Sequence, residues 1–235
     1  MDAAFVLKFL SDLSKHNDRE WFATQTERYQ NVRLQFQEFV TEVLLSVADV
    51  RPAFGAVDPA KCIFRIYRDV RFSKNKTPYK TNVSAIVSED GKTGEDPCGY
   101  FHLEPGGKSF VVCGLYQPST ADLHMVRQRI AEDHASLRAI LKGMKKHFPD
   151  GFNGAQSARL RGFAVDHPAA DLLIFKSFVA TRAFTDDAVT AKAFPKQLKD
   201  SLKSGLPLLD WINQARRDPE AGRPDPMHDD GRRFR

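Results

Sequence analysis

Gly99-Tyr100-Phe101-His102-Leu103-Glu104-Pro105-Gly106-Gly107-Lys108-Ser109-Phe110-Val111-Val112-Cys113-Gly114-Leu115-Tyr116 is the stretch that decides the fold class. Pro105-Gly106-Gly107 is a tight turn between two runs rich in aromatic and β-branched residues. Gly99 to Glu104 and Lys108 to Tyr116 therefore read as paired antiparallel strands. The same composition extends upstream, where about Cys62 to Phe72 and Thr81 to Ser88 read as two more strands, and Glu89 to Pro97 as a longer connection. Phe178 to Phe184 is a candidate fifth strand.

Helical periodicity brackets this sheet. Phe5, Val6, Phe9, Leu10 and Leu13 predict a first helix ending near His16. Asn17 followed by Glu20 has the form of a capping box, and an apolar stripe from Trp21 and Phe22 through Phe36 and Phe39 to Val47 predicts a long second helix packed on the first. Ser119 is a good cap for a helix running to about His147, Asp171-Leu172-Leu173 suggests a short one, and about Asp186 to Lys203 and Pro207 to Ala215 read as two closing helices. The expected fold class is α+β: an N-terminal helical hairpin, a central, mainly antiparallel sheet of four to five strands, and C-terminal helices, in a single domain over residues 1–215. Residues 216–235, with six arginines, five acids and three prolines, read as a disordered tail.

Composition bounds the function. A chain of 235 residues that is 42% apolar, with 18 Phe, buries a full core. Its longest stretch without Asp, Glu, Lys or Arg runs from Ser109 to Ala121 and contains a proline, too short for a membrane span. The start, Met1-Asp2-Ala3, lacks the basic and apolar regions of a signal peptide, so a cytoplasmic chain with no membrane partner is expected. Cys62, Cys98 and Cys113 then read as free thiols. Cys98 with His102 is the nearest approach to a ligand set, and no metal or cofactor is expected.

The charge is concentrated. The chain carries 35 Lys and Arg against 30 Asp and Glu. Six of those bases (Arg65, Arg68, Arg71, Lys74, Lys76, Lys80) and one acid (Asp69) fall in residues 65–80, leaving 29 of each sign elsewhere. On a strand, Arg65, Tyr67, Asp69 and Arg71 would share one face, with Asp69 placed to hold Arg71 in a forked pair, while Phe64, Ile66, Arg68, Val70 and Phe72 would face the core. Arg68 on that second face must meet a carboxylate or reach past the sheet, because an unpaired buried guanidinium costs several kcal/mol. Arginines give forked recognition of phosphate or carboxylate, lysines add point charge, and Tyr67 and Tyr79 have faces on which a ring could stack.

Arg65-x-x-Arg68-Asp69-x-Arg71-Phe72 followed by Asn75-Lys76-x-x-Tyr79-Lys80 resembles the signature of the domain-of-unknown-function family 2461. Asn17-x-Arg19-Glu20-Trp21-Phe22, Gly114-Leu115-Tyr116-x-Pro118, Gly162-Phe163 with His167-Pro168, and Pro207-Leu208 extend the resemblance to about residue 215. It implies boundaries rather than chemistry, since the family carries no established activity, cofactor or catalytic residue.

Other motifs fail on spacing. Gly91-Lys92-Thr93 and Gly107-Lys108-Ser109 end like phosphate-binding P-loops, but the required upstream glycine is Ile86 in one and His102 in the other. For proton transfer the groups at hand are Asp69, His102 with Glu104, and Asp166-His167. The leading expectation is an anionic ligand, nucleic acid or a phosphorylated metabolite, held by Arg65, Arg68, Arg71, Lys74, Lys76, Tyr79 and Lys80. The alternatives are an enzyme for an anionic small molecule with Asp69 or His102 moving a proton, a structural network in which the arginines meet Glu20 or Glu27, and a protein-binding surface. Lys176 is a further candidate anion contact. The sequence does not define the oligomeric state.

Overall fold

The computed structural model describes residues 1–160 and 162–217. The hairpin around Pro105 forms as the sequence predicts. β1 (Val83–Val87), β2 (Cys98–Leu103), β3 (Ser109–Leu115) and β4 (Phe178–Phe184) make one antiparallel sheet in the order β1-β2-β3-β4. Gly106 and Gly107 take the positive φ values, 83° and 71°, that the turn requires. The register stacks Ala85, Phe101 and Val111 on one face, and all three are fully buried.

Helices cover that inner face. α1 (Ala3–Lys15) is capped by Asp2; α2 (Arg19–Thr24) and α3 (Thr26–Ala48) follow. Phe36 and Phe39 of α3 reach Phe101 at ring-centroid distances of 5.7 and 5.9 Å. Beyond the sheet come α5 (Thr120–Glu132), α6 (His134–Met144), α7 (Ala170–Leu173), α8 (Asp186–Thr190) and α9 (Phe194–Arg217). α9 crosses β3 so closely that a Cβ on Gly205 would lie 2.4 Å from the Cys113 sulfur, which is why glycine stands there. The architecture is α+β, with N-terminal helices, an antiparallel sheet and a long C-terminal helix; no described helix is long and apolar enough to cross a membrane.

Several expectations are corrected. Cys62 to Phe72 is not a strand: Cys62 ends the short α4 (Pro59–Cys62), and the backbone beyond it forms isolated β-bridges at Ile63 and Tyr67 in place of a ladder. The long second helix is divided at Gln25, where the Thr24 and Thr26 hydroxyls donate to the Trp21 and Ala23 carbonyls and compete with the helical ladder. Its cap is Asp18, which accepts from the Trp21 amide at 2.8 Å, and not Asn17. The helix after Ser119 is divided at Asp133, which turns out of helical geometry and caps α6 through Ser136. Conversely, the two closing helices give way to the short α8 and one continuous α9, with Pro207 on its exposed side. Arg216 and Arg217 belong to α9 rather than to a tail, Arg216 being fixed by Asp96 and Asp122; the rest of the expected tail, residues 218–235, lies outside the described residues.

Candidate functional site

The basic window is an excursion fastened at its base. The Phe64 amide donates to the Ser84 carbonyl at 3.0 Å and Ile63 bridges Ala85, but farther out Tyr67 bridges Tyr79. Four steps on one side thus match six on the other, and this two-residue bulge prevents a continuous ladder with β1. Two bonds hold the outer register, Arg68 amide to Pro78 carbonyl at 2.9 Å and Lys80 amide to Ile66 carbonyl at 2.7 Å.

Asn17, freed from capping, is the clasp. Its Nδ2 donates to the Tyr79 carbonyl (3.0 Å) and its Oδ1 accepts from the Tyr79 amide (3.1 Å), as a neighbouring strand would. The Tyr79 ring lies flat on Phe22 at 3.9 Å. Two separate sequence blocks, 17–22 and 65–80, are therefore one structural unit. Tyr79 is buried, so it builds the site instead of presenting a face to a ligand; Tyr67, 5.4 Å from it, is half exposed and does present one. Nothing in the local spacing marked Asn17 for this role, because its partner is 62 positions away.

Beyond the clasp the tip is held by polar bonds. Asn75 Oδ1 accepts from the amide and hydroxyl of Thr77, both at 2.9 Å. Arg68 meets no carboxylate among the described residues; its guanidinium donates to the Thr77 carbonyl (3.1 Å), the Thr77 hydroxyl and Ser73 Oγ. It binds the two arms of the tip together. Lys76 Nζ donates to the Val70 carbonyl at 3.0 Å. Arg71 forms the expected fork with Asp69, Nε to Oδ1 at 3.0 Å and Nη2 to Oδ2 at 2.7 Å. That pair, in open solvent, holds the Asp69 carboxyl below its ordinary range.

The remaining charge is uncompensated. Arg65, Lys74 and Lys80 have no ion-pair partner among the described residues, and neither Glu20 nor Glu27 pairs with any cation of the window. Lys80 is partly buried beside Arg65 and Lys92, with Nζ 5.4 Å from the Phe64 ring centroid; burial first, and then the two cations, pull its pKa down. The alternation read from sequence persists from Arg65 to Arg71 without a strand, but Phe72 breaks it. Instead of facing the core it is 96% exposed, with the Arg71 guanidinium 5.9 Å from its ring centroid.

His102 stands elsewhere, on the outer face of the sheet. Its Nε2 meets Glu104 at 2.9 Å, Nδ1 meets the Tyr100 hydroxyl at 3.3 Å, and its ring stacks on Phe110. Burial lowers its pKa, against the opposing pull of Glu104. Glu104 also accepts from the Thr81 hydroxyl at 2.8 Å. Beside this line lies an apolar cavity of about 690 Å³, walled by Phe64, Tyr100, Phe110, Val112 and Tyr116. The Tyr100 phenol is pushed up by burial and stays protonated.

The family profile for "Conserved hypothetical protein (DUF2461)" matches residues 5–211, which include the clasp, the excursion and most of α9. Comparison with curated proteins and with solved structures gave no match. On the breadth of that profile match, the chain belongs to the DUF2461 family.

Proposed function

We propose that residues 65–80 bind a phosphate-rich polyanion, single-stranded nucleic acid in particular. Arg65, Arg71, Lys74, Lys76 and Lys80 meet phosphates, and Phe72 and Tyr67 supply stacking faces. Phe72 carries the reading: a large apolar ring held in water beside the Arg71 guanidinium, in a window whose Arg65, Lys74 and Lys80 have no ion-pair partner among the described residues, is what a nucleobase platform needs. The exposed setting suits a strand passing over the surface better than a small molecule enclosed for chemistry. Proton transfer has less support. Asp69 is held ionised by Arg71, and both ring nitrogens of His102 already have partners.

Fluorescence anisotropy with labelled single-stranded DNA and RNA tests this. Affinity should fall with salt at a log-log slope of about −0.7 per phosphate neutralised. Phe72→Ala should weaken binding by about 1–3 kcal/mol with the slope unchanged. Absence of binding to DNA, RNA and polyphosphate at low salt would remove the proposal.

A further inference from the structure

A second basic site lies away from the excursion. The first turn of α5, the segment 155–159 and the turn ahead of β4 enclose a cleft of about 900 Å³. Three cations line it, Arg127, Arg159 and Lys176, together with the hydroxyls of Thr120, Ser157 and Ser177, and no Asp or Glu is among the described lining residues.

Arg127 is the centre of the argument. Its Nη2 donates to Ser157 Oγ at 3.0 Å and to the Phe175 carbonyl at 2.9 Å, while its Nε is buried and has no partner in the structure. No carboxylate pairs with it among the described residues, and burial pulls its pKa down. A partly buried guanidinium with no carboxylate partner among the described residues is costly by itself, and an oxyanion in the cleft that Arg127 lines would supply its counter-charge. Arg216 shows the contrast, since its equally enclosed guanidinium is matched by two carboxylates.

The frame around Arg127 is built with care. The Ser157 amide donates to the Ile174 carbonyl (2.8 Å) and the Lys176 amide to the Ala155 carbonyl (2.6 Å), so Ser157 and Lys176 are held on facing segments. Gln117 is the one described non-glycine residue with positive φ, 49°, and its amide donates to Ser177 Oγ at 3.2 Å. Backbone strain of this kind gathers at ligand clamps. α5, thirteen residues long, directs the positive end of its dipole to the same cleft at Thr120.

We infer that this cleft binds a small metabolite bearing a phosphate monoester or an equivalent dianionic group, gripped by Arg127, Arg159 and Lys176. The volume accommodates more than the charged group alone. Its other walls are aliphatic and hydroxylic, with no aromatic ring among the described lining residues, so the ligand body is a phosphorylated sugar or aliphatic acid rather than a nucleobase.

Isothermal titration with inorganic phosphate and with glycerol 3-phosphate, against sodium chloride at matched ionic strength, tests the site independently of the excursion. Saturable binding is expected, weakened about tenfold or more by Lys176→Gln and by Arg159→Gln, exposed positions whose replacement leaves the fold intact. Arg127→Gln should abolish it, and unfolding of that variant leaves the other two to decide. Lys74→Ala with Lys76→Ala should leave it unchanged. The inference is overturned by heats no larger than those of sodium chloride, by a Lys176→Gln and Arg159→Gln double variant that binds within twofold of the parent, or by loss of binding in the excursion variant.

Discussion

Two groups of basic side chains meet opposite fates in this molecule. Along α9, Lys196, Lys199, Lys203, Arg216 and Arg217 each have a carboxylate: Asp200 at 2.6 Å, Glu42 at 3.0 Å, Asp49 at 3.1 Å, Asp96 and Asp122 at 2.6 and 2.7 Å, and Asp96 again at 3.3 Å. In the excursion only Arg71 has one, and its partner is two residues away. A nearly balanced chain can therefore neutralise a basic element when packing needs it. Cations held without acids at 65–80 maintain a local positive field in the folded state, whereas those on α9 tie the last helix to α3, α5 and the loop before β2.

The largest test of that contrast removes one arginine from each group. Arg216 is 13% exposed and Asp122 is 17% exposed, so Arg216→Ala strands two carboxylates and should destabilise by about 2–3 kcal/mol in urea unfolding. Arg71→Ala, on a solvent-exposed pair, should leave the urea midpoint essentially unchanged. Equal losses would break the comparison.

A smaller effect is expected at the clasp. Asn17→Ala removes both bonds to the Tyr79 backbone and should cost about 1–2 kcal/mol. Amide hydrogen exchange should accelerate at Arg68 and Lys80 while β2 and β3 stay protected; uniform exchange across the sheet would show that the excursion is not a separate unit.

Acid sharpens the same comparison. Burial pushes the Asp122 carboxyl up, but its bonds to Arg216 and Ser119 outweigh burial and leave it below the ordinary carboxylate value. A depressed folded pKa means that its contribution is fully present above the unfolded value, about 3.9, and is lost as pH falls through the folded one. Asp122→Asn should flatten the stability profile below about pH 4, and Asp69→Asn, whose pair with Arg71 is screened in open solvent, should flatten it less. The smallest effect belongs to Lys74→Ala and Lys76→Ala: within about 0.5 kcal/mol in stability, but each making the salt dependence of nucleic-acid binding shallower by about 0.7.

What the sequence discloses follows from how local the deciding interaction is. β2 and β3 were legible because turn chemistry and strand composition are both contained in the strands and their Pro-Gly-Gly link, and β4 from its composition alone. The excursion was not, because its failure to become a strand depends on a two-residue mismatch with residues 78–85 that no single segment displays. Pro207 suggested a break, yet Leu206, Leu208, Leu209 and Ile212 bury one side of α9 and leave the proline on the other, where a missing bond is tolerated. At the site, the charge excess and the Asp69–Arg71 fork were visible in spacing. Arg68 serving as an internal brace, Asn17 serving as a clasp and Arg127 facing a cleft were not, since each depends on a partner brought in by folding. Lys176 alone signalled the second cleft, and only as an isolated lysine after an apolar run.

Asn17 and Phe22 join the excursion to α2, and between them in sequence stands Trp21, its ring stacked on His16 at 5.6 Å. The other tryptophan, Trp211, is buried on α9, where its indole N–H donates to Ser136 Oγ at 2.8 Å. The chain has two tryptophans, and one falls on each side of the contrast between a charged excursion and a neutralised helix. Each thus carries its own fluorophore, so replacing either indole with phenylalanine makes the emission of the unlabelled protein report on the other region alone.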